Sequence, residues 1–365
     1  MPDILIIGAG IAGLLTAREL SLAGARVAIL ERNRRPARES SWAGGGILSP
    51  LYPWRYPDSV TRLSLWSQQL YPELCTALRE SSGIDPQHLA SGLFIHAPEE
   101  EAAAREWASR FDQRLEIADA RRIRELEPER RNPPAPMLWF PRIAQVRNPR
   151  LVKALVADLE RRGVEIHTDT PVEKLEPAGD GRPLLQAAGK QWQADQVVIC
   201  AGAWSGRLLQ SLSPPPNIHP VRGQMLLFRT RPGVIRHMML EESRYIIPRK
   251  DGRVLFGSTL EEADFEKTTT EAARRELEEI ALSRFPVLAD CPVEAHWAGL
   301  RPASPAGVPY IGRHPEHPRL FINAGHFRNG VVLGPASARL TADLVLERQP
   351  ILDPAPYGFG ARREP

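Results

Sequence analysis

Residues 4–30, ILIIGAGIAGLLTARELSLAGARVAIL, change their hydrophobic period twice within one stretch. Ile4 to Ile7 form an unbroken apolar run, the length of a strand buried on both faces. Glycines interrupt it, and apolar positions then recur at helical spacing to about Leu22. A second apolar strand over 26–30 ends on Glu31. The pattern predicts strand, tight turn, helix and parallel strand.

Further along, 61–79 reads as a helix and SGLFIHA (91–97) alternates as a strand. The charged segment 99–131 predicts exposed helices and ends in NPPAP. RNPRLVKALVADLERRG predicts a helix with Asn148 as N-cap, Pro149 at its first position and Gly163 as its stop, before the strand VEIHT. QVVICAGAWSG (196–206) is a buried strand running into a small-residue turn, with Ala201 and Gly202 in the bend.

From 221 to 300 the pattern changes. MLLFRT, SRYIIPR and RVLFGST read as strands, with Lys250-Asp251-Gly252 as a hairpin turn. Thr268 and Glu271 suit a capping box ahead of an amphipathic helix. RLFINAG (319–325) is again a strand, HFRNGVVL its turn, and GPASARLTADLVLER a helix with proline in its first turn. The expected fold class is α/β with α+β: an interrupted Rossmann-like nucleotide-binding domain (1–85, 145–220 and 300–365) and a second, substrate-binding domain on a mixed or antiparallel sheet (86–144 and 221–299).

The length of 365 residues allows about two domains with real cores. Net charge is +3 with 44 acidic residues, and no basic block is interleaved with aromatics, so a nucleic-acid partner is not expected. Cys75, Cys200 and Cys291 have neither CxxC nor metal spacing; buried free thiols suit a reducing cytosol. The chain runs straight into a strand without a basic n-region, so secretion is not expected. The apolar run from Ile4 to Ala17 is too short to span a bilayer.

Gly8, Gly10 and Gly13 match GxGxxG, after a strand and ahead of a helix, and Glu31 stands twenty-one positions beyond Gly10. Gly8 permits the turn, Gly10 lets backbone approach a pyrophosphate, and Gly13 lets helix and sheet pack closely. The helix N-terminus offers free N–H groups to phosphate, and Glu31 can accept from a ribose diol. These residues leave FAD and NAD both open. A plain NAD domain would continue as alternating strands and helices; here Ser40, Ser41 and the triplet Gly44-Gly45-Gly46 intervene. Three glycines together suit backbone lying against something large and flat. The helix near the C-terminus points a second positive end at the ligand, which suits a flavin whose N1–C2=O edge gains negative charge on reduction.

Six segments in order, GAGIAG with Glu31, ESSWAGGGILSP, VVICAGAWSG, SRYIIPR, GLRPASPAGVPYIG and GHFRNGVVLGP, resemble the glycine oxidase and D-amino-acid oxidase group of flavoproteins. Within that group, the thiamine-biosynthesis glycine oxidases of bacteria are most similar. The resemblance implies noncovalent FAD: no cysteine follows Cys291 and the first histidine is His88, so the tethers that some relatives use have no counterpart. It places Ile11 and Ala12 at the pyrophosphate, Glu31 and Arg32 at the adenosine ribose, and Val172 at the adenine. Ser40 and Ser41 meet the diphosphate–ribityl region. Gly45, Gly46 and Ile47 pass the flavin, where a side chain would collide with the ring. His326, Phe327, Arg328, Asn329, Gly330, Val331 and Val332 wrap its pyrimidine end.

For a small amino-acid substrate the resemblance implies Arg301 as a bidentate carboxylate anchor, Tyr245 as a hydroxyl donor to the same carboxylate, and Arg328 at the site, with its backbone carbonyl a candidate for the amine. No general base is assigned, because hydride transfer from a neutral amine to flavin N5 needs none. Glycine would give an imine and then glyoxylate and ammonia, with molecular oxygen reoxidising FAD to yield peroxide. The resemblance further implies a homotetramer and imine supplied to a thiazole synthase; no amphipathic membrane anchor is apparent in the sequence, so no membrane association is expected. A D-amino-acid dehydrogenase, a sarcosine-type oxidase and a non-catalytic FAD-binding subunit share these motifs and stay open at this point.

Overall fold

A computed structural model describes residues 2–177 and 181–363. Two large sheets dominate it. The six-stranded sheet runs in the order Tyr310–Arg313, Leu320–Ala324, Gln196–Ile199, Ile4–Ile7, Val27–Leu30 and Glu165–His167. All its pairings are parallel except that of Tyr310–Arg313 with Leu320–Ala324. Ile4–Ile7 lies at the centre and is buried on both faces, as its unbroken apolar run requires. The helices Ile11–Leu22, Asn148–Arg161 and Gly330–Val345 pack on one face, and their apolar residues join those of the sheet in one core.

The eight-stranded sheet is mixed, with Val293–Ala303 at one edge, then His219–Arg229, Arg253–Gly257, Arg244–Pro248 and Met238–Glu241, and three short strands from residues 93–140 beyond. Its one parallel pairing joins Met238–Glu241 to Leu93–Ile95. The fold class expected from the sequence is therefore present. The hairpin turn at Lys250-Asp251-Gly252 is also as expected, with Gly252 at φ 83°.

Several local expectations are corrected. Asn148 is the first helical residue and not the N-cap: it is buried, its side-chain nitrogen and oxygen have no hydrogen-bond partner, and the cap position falls to Arg147. Thr268 forms no capping box; the cap is Thr270, whose hydroxyl accepts from the Ala273 N–H, while Thr268 donates to Glu266. The last long helix starts at Gly330, so Pro335 sits inside it. Proline has no N–H to give the Val331 carbonyl, and the buried Tyr71 hydroxyl donates there instead, at 2.5 Å. Within 99–131, the helices Glu101–Arg110 and Ala120–Leu126 flank a short strand, Glu116–Ala118. Strands Met137–Phe140 and Val293–Ala303 were not predicted, nor was the small sheet of Val172–Pro177, Pro183–Ala187 and Lys190–Gln193.

Candidate active site

One continuous cavity of about 730 Å³ runs from the six-stranded sheet to the eight-stranded one, within the range of small-molecule and cofactor sites. Glu31, Arg32 and Val172 line one end; Tyr245, Arg301 and Arg328 line the other.

At the first end the turn is built as its glycines require. Gly8 has φ 102°, and an added Cβ would sit 2.6 Å from the Cys200 carbonyl oxygen. A Cβ on Gly13 would lie 2.0 Å from the Gly8 oxygen, so Gly13 serves helix packing and does not itself line the cavity. Gly10 differs: only Ser41 Oγ comes near its absent Cβ, at 3.2 Å. The Ile11 N–H donates to that Ser41 oxygen at 2.9 Å, whereas the Ala12 N–H has no acceptor within the described protein. Glu31 accepts from the Ala9 and Asn33 N–H groups, both at 2.8 Å, which fixes the carboxylate at the cavity wall with lone pairs to spare. Arg32 stacks on Trp204, 3.4 Å from the ring centroid, and bonds Glu39. No local pattern in QVVICAGAWSG marks Trp204 for this stacking role.

The middle of the cavity passes Ser40, Ser41 and the glycine triplet, with Ala201 and Gly202 opposite. The expected reason for the triplet, collision of side chains with a flat ligand, is replaced by another. A Cβ on Gly44 would lie 2.9 Å from Asn148 Nδ2, one on Gly45 2.5 Å from Ile247 Cδ1, and one on Gly46 2.1 Å from the Val146 oxygen. All three Cβ directions point into the protein. The triplet lets the loop sink between the Asn148 helix and the Tyr245 strand, which leaves the backbone as the cavity wall.

Gly330 and Val331 bring the N-terminus of a sixteen-residue helix to the cavity, beside His326, Phe327 and Arg328. Asn329 and Val332 are buried behind that surface. Ser337 Oγ donates to the Leu333 carbonyl at 2.7 Å and so serves as acceptor for His326 Nε2 at 3.1 Å. His326 is therefore the Nε2–H tautomer. Burial pulls its pKa down to about 4, which keeps the ring neutral and suits a cavity neighbour better than a proton carrier.

At the far end Arg301 rises from the edge strand Val293–Ala303 opposite Val221. The diagonal position on the same face is Gly223, itself paired with Gly299. A Cβ on Gly223 would lie 2.0 Å from Arg301 Nη2, so the missing side chain is the bed of the guanidinium. Gly299 leaves room for Ala43 in the same way. Arg301 donates to the Arg222 carbonyl at 3.1 Å, the Thr259 carbonyl at 3.2 Å and Ser258 Oγ at 2.6 Å. Its partners are all neutral. Burial lowers its pKa, the Tyr245 hydroxyl beside it acts the other way, and Arg328 lowers it further. Tyr245 and Met225 both pair with Gly257, and the Tyr245 hydroxyl donates to Met225 Sδ at 3.7 Å. Two guanidinium groups thus meet apolar Ile47, Leu51 and Met225 in a chamber whose lining has no carboxylate; the acids of the cavity, Glu31, Glu39 and Glu173, belong to its other part. Such a lining is chemically complementary to a small anion.

Gly223, Met225, Ser258 and Thr259 were not among the expected site residues. Gly223 carried a signal, since a lone glycine inside a strand pattern marks close approach of another group.

Free N–H groups at two helix starts, a carboxylate for a ribose, a bare backbone wall and an anchored guanidinium together define a flavin-dependent oxidoreductase. The chain belongs to the FAD dependent oxidoreductase family, whose model matches residues 3–344, and FAD is its cofactor. It is similar to the glycine oxidase of Pseudomonas aeruginosa, with 43% identity over 98% of this chain and 99% of that protein. A bifunctional ThiO/ThiG protein of Trichormus variabilis is 30% identical over 95% of this chain, which spans about half of that protein's length (53%). Among solved structures, glycine oxidase from Geobacillus kaustophilus superposes with a TM-score of 0.94, 28% identity and 99% coverage of both chains. The resemblance read from the motifs is borne out.

Proposed function

We propose that this protein oxidises small amino acids, glycine foremost, at the end of the cavity where Arg301 and Tyr245 meet. The observation that carries the reading is the anchored, half-buried Arg301 guanidinium, bonded only to neutral groups and facing a chamber with no carboxylate in its lining. The 43% identity to a glycine oxidase supports glycine as the substrate.

Arg301 takes the carboxylate, and the Tyr245 hydroxyl turns from Met225 to the same group. A close ion pair at an effective dielectric near 20 is worth up to about 4 kcal/mol before desolvation, enough to prefer amino acids over plain amines. Ile47, Leu51 and Met225 exclude water around the α-carbon, and the Arg328 carbonyl receives the amine in its neutral form. Gly10, Ala12, Ser40 and Ser41 hold the diphosphate and ribityl chain, Glu31 the adenosine ribose, Val172 the adenine, and residues 45–47, 326–328, 330 and 331 the ring. FAD supplies the two-electron acceptor that converts the amine to an imine, which water hydrolyses to glyoxylate and ammonia.

In this reading residues 1–85, 145–220 and 300–365 form the cofactor-binding domain, except that 219–220 and 300–303 run in the eight-stranded sheet and carry Arg301 to the substrate side, and oxygen is the terminal acceptor. The fused ThiO/ThiG relatives support delivery of the imine to a thiazole synthase, and the free thiols of Cys75, Cys200 and Cys291 suit a cytoplasmic enzyme. Steady-state peroxide assays with glycine, sarcosine, D-alanine and D-proline test the substrate assignment. Glycine is expected to have the highest kcat/KM or to share it with sarcosine; turnover confined to D-proline would overturn it.

A further inference from the structure

Arg249 does not line the cavity, yet it bonds a residue that does. Its buried guanidinium donates to the Gly45 carbonyl at 2.6 Å, Gln145 Oε1 at 2.5 Å and the Val146 carbonyl at 3.0 Å. Gln145 is itself fixed, because its amide nitrogen donates to Ser91 Oγ and the Pro248 carbonyl and so turns Oε1 to the arginine. No carboxylate bonds Arg249 among the described residues. Asp251, which acts on it from a distance, is bonded to Arg147 and Arg253. A buried cation with only neutral partners is costly, and a packing role alone does not need the charge.

The peptide between Gly45 and Gly46 is trans, so its N–H points opposite to its carbonyl. The carbonyl goes to Arg249 behind the wall. The Gly46 N–H then points away from Arg249, and neither it nor the Gly45 and Ile47 N–H groups has an acceptor within the described protein. All three residues line the cavity.

We propose that Arg249 is a positioning residue for the bound cofactor. It clamps the Gly45 carbonyl, so that the Gly46 N–H is presented to the isoalloxazine. It also places a positive charge one peptide behind that wall, favouring the more negative reduced ring over the oxidised one. The proposal rests on the reading that the ring lies against residues 45–47.

Two variants of the holoprotein separate clamp from charge. Arg249→Met removes both, and the two-electron midpoint potential of its FAD should become more negative by about 30 mV, a tenfold loss of preference for the reduced form. Arg249→Lys keeps the charge without the fork. Its potential should stay near that of the parent, while FAD binds several-fold more weakly by titration of the apoprotein. An Arg249→Met protein that folds with the parent's potential overturns the role of the charge. An Arg249→Lys protein with the parent's FAD affinity overturns the clamp, and does so even if the methionine variant fails to fold. Parent protein that takes up no FAD would count instead against the functional reading beneath.

Discussion

The guanidinium of Arg301 lies on Gly223, where a single Cβ would come within 2.0 Å of Nη2. The pair joins the two strands whose register sets the anchor, and neither residue explains the site alone. Gly223→Ala is expected to displace the guanidinium while sparing the FAD groove. Steady-state kinetics should show kcat/KM for glycine reduced about tenfold or more, chiefly through KM, with FAD content unchanged. Unaltered KM would mean that Arg301 does not hold the carboxylate.

Arg301→Lys removes the fork but leaves a charge. Loss of one charge-assisted hydrogen bond costs about 2–3 kcal/mol, so kcat/KM should fall roughly 50-fold. The measurement is glycine turnover in the purified variant, compared with its FAD-binding stoichiometry.

Much of this was legible in the chain, and the limits are physical. The strand–turn–helix around Gly8, Gly10 and Gly13 is local, so period and spacing suffice to predict it. The pairing of Arg301 with Gly223 depends on strand register across 78 positions, which no hydrophobic pattern encodes. Val293–Ala303, the strand that carries the anchor, is an edge strand with half-buried residues and little alternation, and it went unpredicted. Asn148 has the composition of a cap, but tertiary packing against the glycine triplet claims its side chain. Arg249 closes the motif SRYIIPR, but its burial depends on tertiary packing that no local pattern encodes.

The two kinds of glycine separate experimentally. Gly46 has φ 78°, and its Cβ would meet the Val146 oxygen, so Gly46→Ala should destabilise the fold by on the order of 3 kcal/mol. Gly10→Ala meets only Ser41 Oγ, so the apoprotein should keep its Tm while FAD affinity drops. Thermal melts of both apoproteins and FAD titrations distinguish the two behaviours.

Neutral His326 makes stability depend on pH. Its pKa of about 4 in the fold lies below the ordinary value near 6.5, so the unfolded chain binds the extra proton first. Stability is full above pH 6.5 and declines as the pH falls toward 4, by about 2 kcal/mol between pH 7 and pH 5 from this residue. Denaturant unfolding at the two pH values should show a smaller loss for His326→Gln than for the parent.

The most direct test of the whole account is to add glycine to the yellow holoprotein without oxygen and follow the visible flavin band. The band should bleach, and colour should return with formation of peroxide when air is admitted. A band untouched by saturating glycine, in protein that carries FAD, would contradict it.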